Sequence, residues 1–170
     1  PRLYDGHDMR LSYVVWQEGV NPFVMVELLS PGTEKEDLGQ TERGNADIPT
    51  KWEVYEQILR VPYYILFDRY TNTLQAFHLV GGHYQPIENA EQQVTISEWQ
   101  LSLRTWTGEY EGVHRMWLRW FDAEGQLILT GSERAAQAET EREAAKAQAR
   151  EAEQRAEALA QRLRELGIDP

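Results

Sequence analysis

The chain has 170 residues, 41% of them hydrophobic, and a formal charge of −11. That length suits one domain of ordinary size with a core of its own, together with an appendage. The absence of cysteine excludes disulfide frameworks, thiolate zinc sites and cysteine nucleophiles. No apolar run approaches the roughly 18 residues of a membrane helix, and no basic-then-apolar signal peptide opens the chain; the expected location is cytoplasmic, with no membrane partner.

Residues 11–16 are a short β-prone run, followed by a turn at 19–22. Residues 23–29, Phe-Val-Met-Val-Glu-Leu-Leu, are almost continuously apolar, the pattern of a strand buried on both faces. Ser30, Pro31 and Gly32 end it. Residues 32–50 are polar, with Gly39, Gly44 and Pro49, and read as a long loop. Thr50 can cap a helix that starts at Lys51. Trp52, Tyr55, Ile58 and Leu59 then share one helical face, and Val61-Pro62 breaks the helix. Residues 63–67 are a second buried strand, ended by Asp68. Residues 74–80 and 83–87 flank Gly81-Gly82, a hairpin signal. Residues 94–106 fit no single pattern. Residues 116–121 and 126–129 flank the turn residues 122–125, which predicts a second hairpin.

The composition changes near Gly131. All six Trp, all eight Tyr and all four Phe lie upstream. Residues 133–166 are mostly Ala, Glu, Arg and Gln, which are strong helix formers, with Ser132 as the expected N-cap and Gly167 and Pro170 as the stop. Ala138, Ala145, Ala152, Leu159 and Leu166 are spaced by seven, and Ala135, Arg142, Ala149, Ala156 and Leu163 form a second seam. This period predicts a coiled coil; the alternative is a single solvated helix. The expected division is therefore a domain over 1–131 and a helical coiled-coil tail over 132–167. Residues 1–132 hold a charge of −9, from 10 basic and 19 acidic residues. That excludes a broadly basic nucleic-acid surface, but neither a local basic groove nor an acidic site for a divalent cation.

Glu27 is the residue of most interest, because a carboxylate inside an apolar strand is costly unless paired, protonated or bound to metal. Strand alternation puts it on one side with Met25 and Leu29, and Val24, Val26 and Leu28 on the other. The alternative is an edge or strand-end position where the carboxylate reaches water. Lys51 opens a helix four residues before Tyr55, on the same face. A cation there opposes the helix dipole, so something else selects it, unless it is an ordinary surface lysine. His7, His78, His83 and His114 show no metal-ligand spacing. There is no G-x-S-x-G elbow and no phosphate-binding G-x-x-x-x-G-K loop. Glu34, Glu36 and Asp37 read as a solvated face. The tryptophans read as packing residues, with Trp52 also a candidate to stack on bases.

In order along the chain, residues 21–33 (Asn-Pro-Phe-Val-Met-Val-Glu-Leu-Leu-Ser-Pro-Gly-Thr) resemble the P-x-x-x-x-E-h-x-S-x-x-T segment of the Uma-two family of restriction-endonuclease-like proteins. Residues 51–55 (Lys-Trp-Glu-Val-Tyr) resemble that family's K-x-x-x-Y helix, and residues 61–68 its v-P-x-Y-h-h-h-D strand. The Ala/Glu/Arg-rich ending, Leu-Arg-Glu-Leu-Gly-Ile-Asp-Pro over 163–170, is similar to the close of many members. The resemblance implies an α/β (α+β mixed sheet) fold, a PD-(D/E)xK nuclease-like core of about four strands flanked by helices. It implies hydrolysis of DNA phosphodiester bonds with Mg²⁺ or Mn²⁺. Carried over residue by residue, Glu27 matches the metal-binding strand Glu. Lys51 matches the Lys that the family carries on the following helix rather than at the position of Leu29. Tyr55 matches the helix Tyr that orients the site, and Ser30 follows the strand as a support. The family's other metal ligand, an Asp in an upstream Pro-Asp strand, has no match, since Asp5 and Asp8 lack that context. The chain is therefore expected to be an N-terminally incomplete or a decayed member. Asp68, the nearest other acid by topology, is expected to cap a strand end. The first reading is a DNA endonuclease. The second is a catalytically dead interaction module that forms a homo-oligomer through the tail. A third, a ligand-binding β-rich domain, has only the aromatic content in its favour.

Overall fold

The computed structural model describes residues 13–32, 34–40, 48–88 and 91–167. The chain divides into two compact units, Pro1–Leu127 and Ile128–Pro170.

The first unit is a mixed α+β fold built on two sheets. The apolar run around Glu27 forms β1 (Val24–Leu29). It pairs in parallel with β2 (Tyr63–Asp68), setting Val24 opposite Tyr63 and Glu27 opposite Leu66. Parallel neighbours need a crossover, and two short helices lie along it, α2 (Glu34–Asp37) and α3 (Lys51–Glu53). β2 then pairs antiparallel with β3 (Thr73–Val80), and β3 with β4 (His83–Pro86), in the order β1-β2-β3-β4. Gly81 and Gly82 both take positive φ, 62° and 94°, the conformation that a two-residue hairpin loop demands.

The second sheet is antiparallel, β5 (Gln93–Ile96), β6 (Leu101–Tyr110) and β7 (Val113–Phe121). The stretch 94–106, which fits no single sequence pattern, is thus most of β5, a turn and the first half of β6. One core cluster joins the two sheets through Ile65, Phe67, Val94, Ile96 and Leu103. A second cluster on the other side of the first sheet gathers Leu29, Tyr64, Leu66 and Tyr84, with Trp52 and Tyr55 packed against it.

Several expectations are corrected. β1 is a strand, but it is not buried on both faces. It lies at the edge of the described sheet, only Leu29 is buried, and Leu28 is 64% exposed. The β-prone run ends instead as the helical turn α1 (Val15–Glu18). Gly19 at φ 72° caps it by donating to the Val15 carbonyl. The expected hairpin over 116–129 reduces to one arm. Residues 116–121 belong to β7 and pair with β6, while Phe121 and Leu127 share a single bridge. The turn itself is present, since the Asp122 carboxylate accepts the Gln126 N–H at 2.7 Å.

The helix at Lys51 starts as expected. Thr50 and Glu53 form a reciprocal capping box. After one turn the ladder widens into a π-helical stretch, Val54–Ile58, with Leu59 donating to the Val54 carbonyl at 2.8 Å. The extra residue per turn rotates the end of the helix. Trp52 and Tyr55 stay on the core, Ile58 turns out to 61% exposure, and Glu56 turns in to 6%. The four-residue apolar face predicted from a 3.6 period is therefore broken at Ile58.

The second unit is one helix, α4 (Gly131–Glu165), with no buried residue. Its N-cap is Thr130 rather than Ser132, because Glu133 stands three residues after Thr130 and completes a capping box. Pairs within the helix, Arg142 with Glu139, Lys146 with Glu143 and Arg155 with Glu151, lace its surface.

Candidate active site

Glu27 points to the same side of β1 as Met25 and Leu29, toward the aromatic cluster of Trp52, Tyr55 and Tyr64. Its side chain is 22% exposed. The i, i+4 spacing of Lys51 and Tyr55 brings both side chains onto it. The Tyr55 hydroxyl donates to Glu27 Oε1 at 2.8 Å, and Lys51 Nζ lies 3.7 Å from Oε2. Lys51 Nζ also donates to Asp37 Oδ1 at 2.8 Å. The lysine, 41% exposed, thus stands between two carboxylates at the mouth of the cluster. Those two anions outweigh the unfavourable end of a short helix dipole.

Sequence alone puts Asp37 on a solvated face, but in the fold it is 2% exposed. The polar loop folds as α2, which lays Asp37 against Lys51 and lets its main-chain carbonyl accept the Tyr64 hydroxyl at 3.0 Å. One sequence signal does point this way. Leu38 packs into the aromatic cluster, and Gly39 at φ 68° passes so close to Trp52 that an added Cβ would sit 2.9 Å from the ring. A hydrophobe and an obligatory glycine directly after an acid mark a chain that turns inward.

The tyrosines here are held neutral. Burial, then the hydrogen bond to Glu27 and the charges of Glu27 and Asp37, push the Tyr55 phenol well above its ordinary range. Burial and the same two charges push Tyr64 up, and burial with the Glu56 charge pushes Tyr84 up. Each folded pKa stands above the ordinary value of 10.0, so above that pH the unfolded chain binds fewer protons than the folded one. Stability is fully present below pH 10 and should fall as pH rises beyond it. Absorbance titration should leave these three phenols protonated until alkaline unfolding, which then releases them together. Smooth ionisation of every tyrosine before unfolding would contradict the arrangement.

Glu27, Lys51 and Tyr55 are thus brought together, while other candidates take structural places. Ser30 is exposed at the strand end. Trp52 makes edge contacts with Tyr64, Phe77 and Tyr84, at 4.9–5.7 Å between centroids, and is a packing residue rather than a base platform. Asp68 caps the strand end as expected, accepting from Tyr70 N and the Thr71 hydroxyl at 2.7 Å each. These bonds hold its carboxyl below the usual range. His78 stacks on Tyr63, and His83 lies 3.7 Å from Glu56. Asp5, Asp8 and His7 lie outside the described residues. Among the described residues no group of three or more His, Asp or Glu side chains converges as a metal site, and no helix is long and apolar enough to cross a membrane.

A family model, Uma2, described as "Putative restriction endonuclease", matches residues 4–106, more than half of the chain. No curated protein and no solved structure matches it. The matched span takes in β1 with Glu27, the crossover with Asp37, Lys51 and Tyr55, and the rest of the first sheet, and it stops within β6. The chain belongs to the Uma2 family of restriction-endonuclease-like proteins.

Proposed function

We propose that this chain is a metal-dependent DNA endonuclease of the PD-(D/E)xK type, in which Glu27 is a metal ligand, Lys51 the catalytic cation and Tyr55 the residue that positions Glu27. The observation that carries the reading is the placement of Lys51 Nζ between Glu27 and Asp37, with Tyr55 on the other oxygen of Glu27.

Mg²⁺ or Mn²⁺ fits this donor set. Such cations take one or two carboxylates and keep several waters, and Glu27 offers a carboxylate on a side chain that is 22% exposed. When bound, the ion supplies Lewis-acid polarisation and a more acidic water. The chain's own residues do the rest. Tyr55 fixes the carboxylate by donating to Oε1, and its raised pKa keeps that proton in place. Asp37 holds Lys51 in position by accepting from its Nζ at 2.8 Å. The ammonium then offsets negative charge as it builds on the phosphate in the transition state. The test is nicking of supercoiled plasmid with Mg²⁺ or Mn²⁺, compared with chelator. Metal-dependent nicks are expected, and their absence with either ion would overturn the reading.

A second reading is a silent interaction module. Two observations favour it: no third ligand joins Glu27 and Asp37 among the described residues, and the heptad seams of α4 lie exposed, with Leu159 at 64% and Leu166 at 72%. In this reading α4 pairs with a second copy as a homo-oligomeric coiled coil. Truncation after Thr130 should convert the oligomer to a monomer in analytical ultracentrifugation. An unchanged mass ratio would remove the tail from assembly.

A further inference from the structure

We infer that the face of the β5–β6–β7 sheet turned away from the core, with Arg104, Arg115 and Arg119 set among aromatic rings, docks the sugar–phosphate backbone of DNA. The inference takes its ligand from the nuclease reading and rests on it for that. Most of the face lies beyond residue 106, where the family match ends.

Register defines the face. Arg104 pairs with Arg119, Trp106 with Trp117, Gly108 with Arg115 and Tyr110 with Val113, so these side chains share one side. The other side sends Leu103, Leu118 and Trp120 to the core. The one acid within β6 and β7, Glu109, pairs with His114 on that core side. A chain of charge −11 therefore carries three arginines from β6 and β7 on this face, with Asp122, just past β7, as the acid beside Arg104. Arg104 and Arg119 stand directly opposite each other. Like charges in register destabilise a sheet.

The rings hold the guanidinium groups in place. Arg104 lies 3.6 Å over Phe121, Arg115 5.2 Å from Trp117, and Arg119 5.3 Å and 5.2 Å from Trp106 and Tyr110. Stacking restrains the guanidinium plane; Arg104 also donates to the Gly125 carbonyl at 2.8 Å, and Arg115 to the Met116 and Arg69 carbonyls at 3.3 and 2.8 Å, so phosphate oxygens would meet the N–H groups that these bonds do not use. Gly108 makes room for the platform: a Cβ there would lie 2.1 Å from the Trp106 ring, and its carbonyl accepts the Trp117 indole N–H at 3.2 Å. Arg119, 8% exposed, contributes charge, while the half-buried Arg104 and Arg115 are placed for contact. Arg104 also lines a hollow of about 340 Å³ with Gln93, Thr95, Ser102 and Asp122. The Thr95 and Ser102 hydroxyls and the Gln93 amide suit sugar oxygens, while the Asp122 carboxylate repels phosphate.

The test is fluorescence anisotropy of a short labelled duplex with the full chain in EDTA, so that no cleavage is needed, over a series of salt concentrations. Each of Arg104→Gln and Arg115→Gln should lower the slope of log K against log salt by about 0.9, which makes the weakening between roughly 50 and 200 mM salt about 3.5-fold smaller. Arg115→Lys, which keeps the charge, should keep the slope. Equal slope and affinity in a double glutamine variant that melts like the wild type would overturn the inference, as would a wild type that does not bind the duplex at low salt. The two readings fail separately. A lowered slope in a protein that never nicks upholds the docking face and removes the nuclease. Metal-dependent nicking with an unchanged slope removes only the docking face.

Discussion

Glu27→Gln should lower metal-dependent nicking by about 10²–10³-fold, the loss typical of removing one charge-stabilising group from a transition state. The fold should survive, because the amide keeps the shape of the side chain and still accepts the Tyr55 hydroxyl, which lies at 2.8 Å. Lys51→Ala should lose nicking to a similar degree and should also lose stability. It withdraws the ammonium 2.8 Å from an Asp37 carboxylate that is only 3% exposed. Breaking a fully buried pair costs about 3–5 kcal/mol. Lys51 is 41% exposed, so solvent screens part of this, and about 1–3 kcal/mol is the expected range. Tyr55→Phe separates positioning from chemistry. It leaves Glu27 in place but without its donor, so kcat should fall by less than in Glu27→Gln, and the metal concentration for half-maximal nicking should rise. Plasmid nicking with thermal melting in parallel reads all three. Nicking that persists in both Glu27→Gln and Lys51→Ala would show that the site does not cut DNA.

Tyr64→Ala should destabilise the first unit by about 3–5 kcal/mol, the range for truncating a large buried aromatic. The residue is 0% exposed. Its ring lies 5.2 Å from Tyr55, 5.6 Å from Tyr84, 5.7 Å from Trp52 and 6.5 Å from Phe77, centroid to centroid. No neighbour can collapse into the space without abandoning another ring. Tyr64→Phe should cost only about 0.5–1.5 kcal/mol, the worth of its hydrogen bond to the Asp37 carbonyl. Urea denaturation checks this: the midpoint should drop while the slope with denaturant stays the same. A cost below about 1 kcal/mol for the alanine variant would mean that the cluster repacks. The pair of variants also links core to site. The alanine variant should loosen the approach of Asp37 to Lys51 and so reduce nicking, whereas the phenylalanine variant should leave it near wild type.

Much of the first sheet was legible because its signals are local. The apolar runs around Glu27 and Ile65 carry enough hydrophobic surface to form strands wherever they land, and Gly81-Gly82 closes a hairpin from its own backbone freedom. The Thr50–Glu53 capping box starts its helix within four residues. Ala, Glu and Arg repeated over 133–166 make a helix by propensity alone. Even the meeting of Lys51 with Tyr55 follows from spacing, since i and i+4 share a face.

These elements, and the shared helical face of Lys51 and Tyr55, are written in the amino-acid order. Which side chains lost their water is a matter of how the segments pack. Asp37 sits in a polar stretch that no period marks, and it is buried because α2 meets α3 across the crossover. Glu56 turns inward, and Ile58 outward, because the helix widens to a π turn where its end meets β4: the Tyr84 N–H donates to Glu56 Oε1 at 2.7 Å. Arg104 and Arg119 are fifteen positions apart in sequence and become neighbours only through the register of β6 and β7. Propensity and capping act within a few residues of the chain, whereas burial and charge proximity depend on what other segments bring to the same place. For that reason the elements could be read in order along the chain, while the second carboxylate on Lys51 and the arginine face could not.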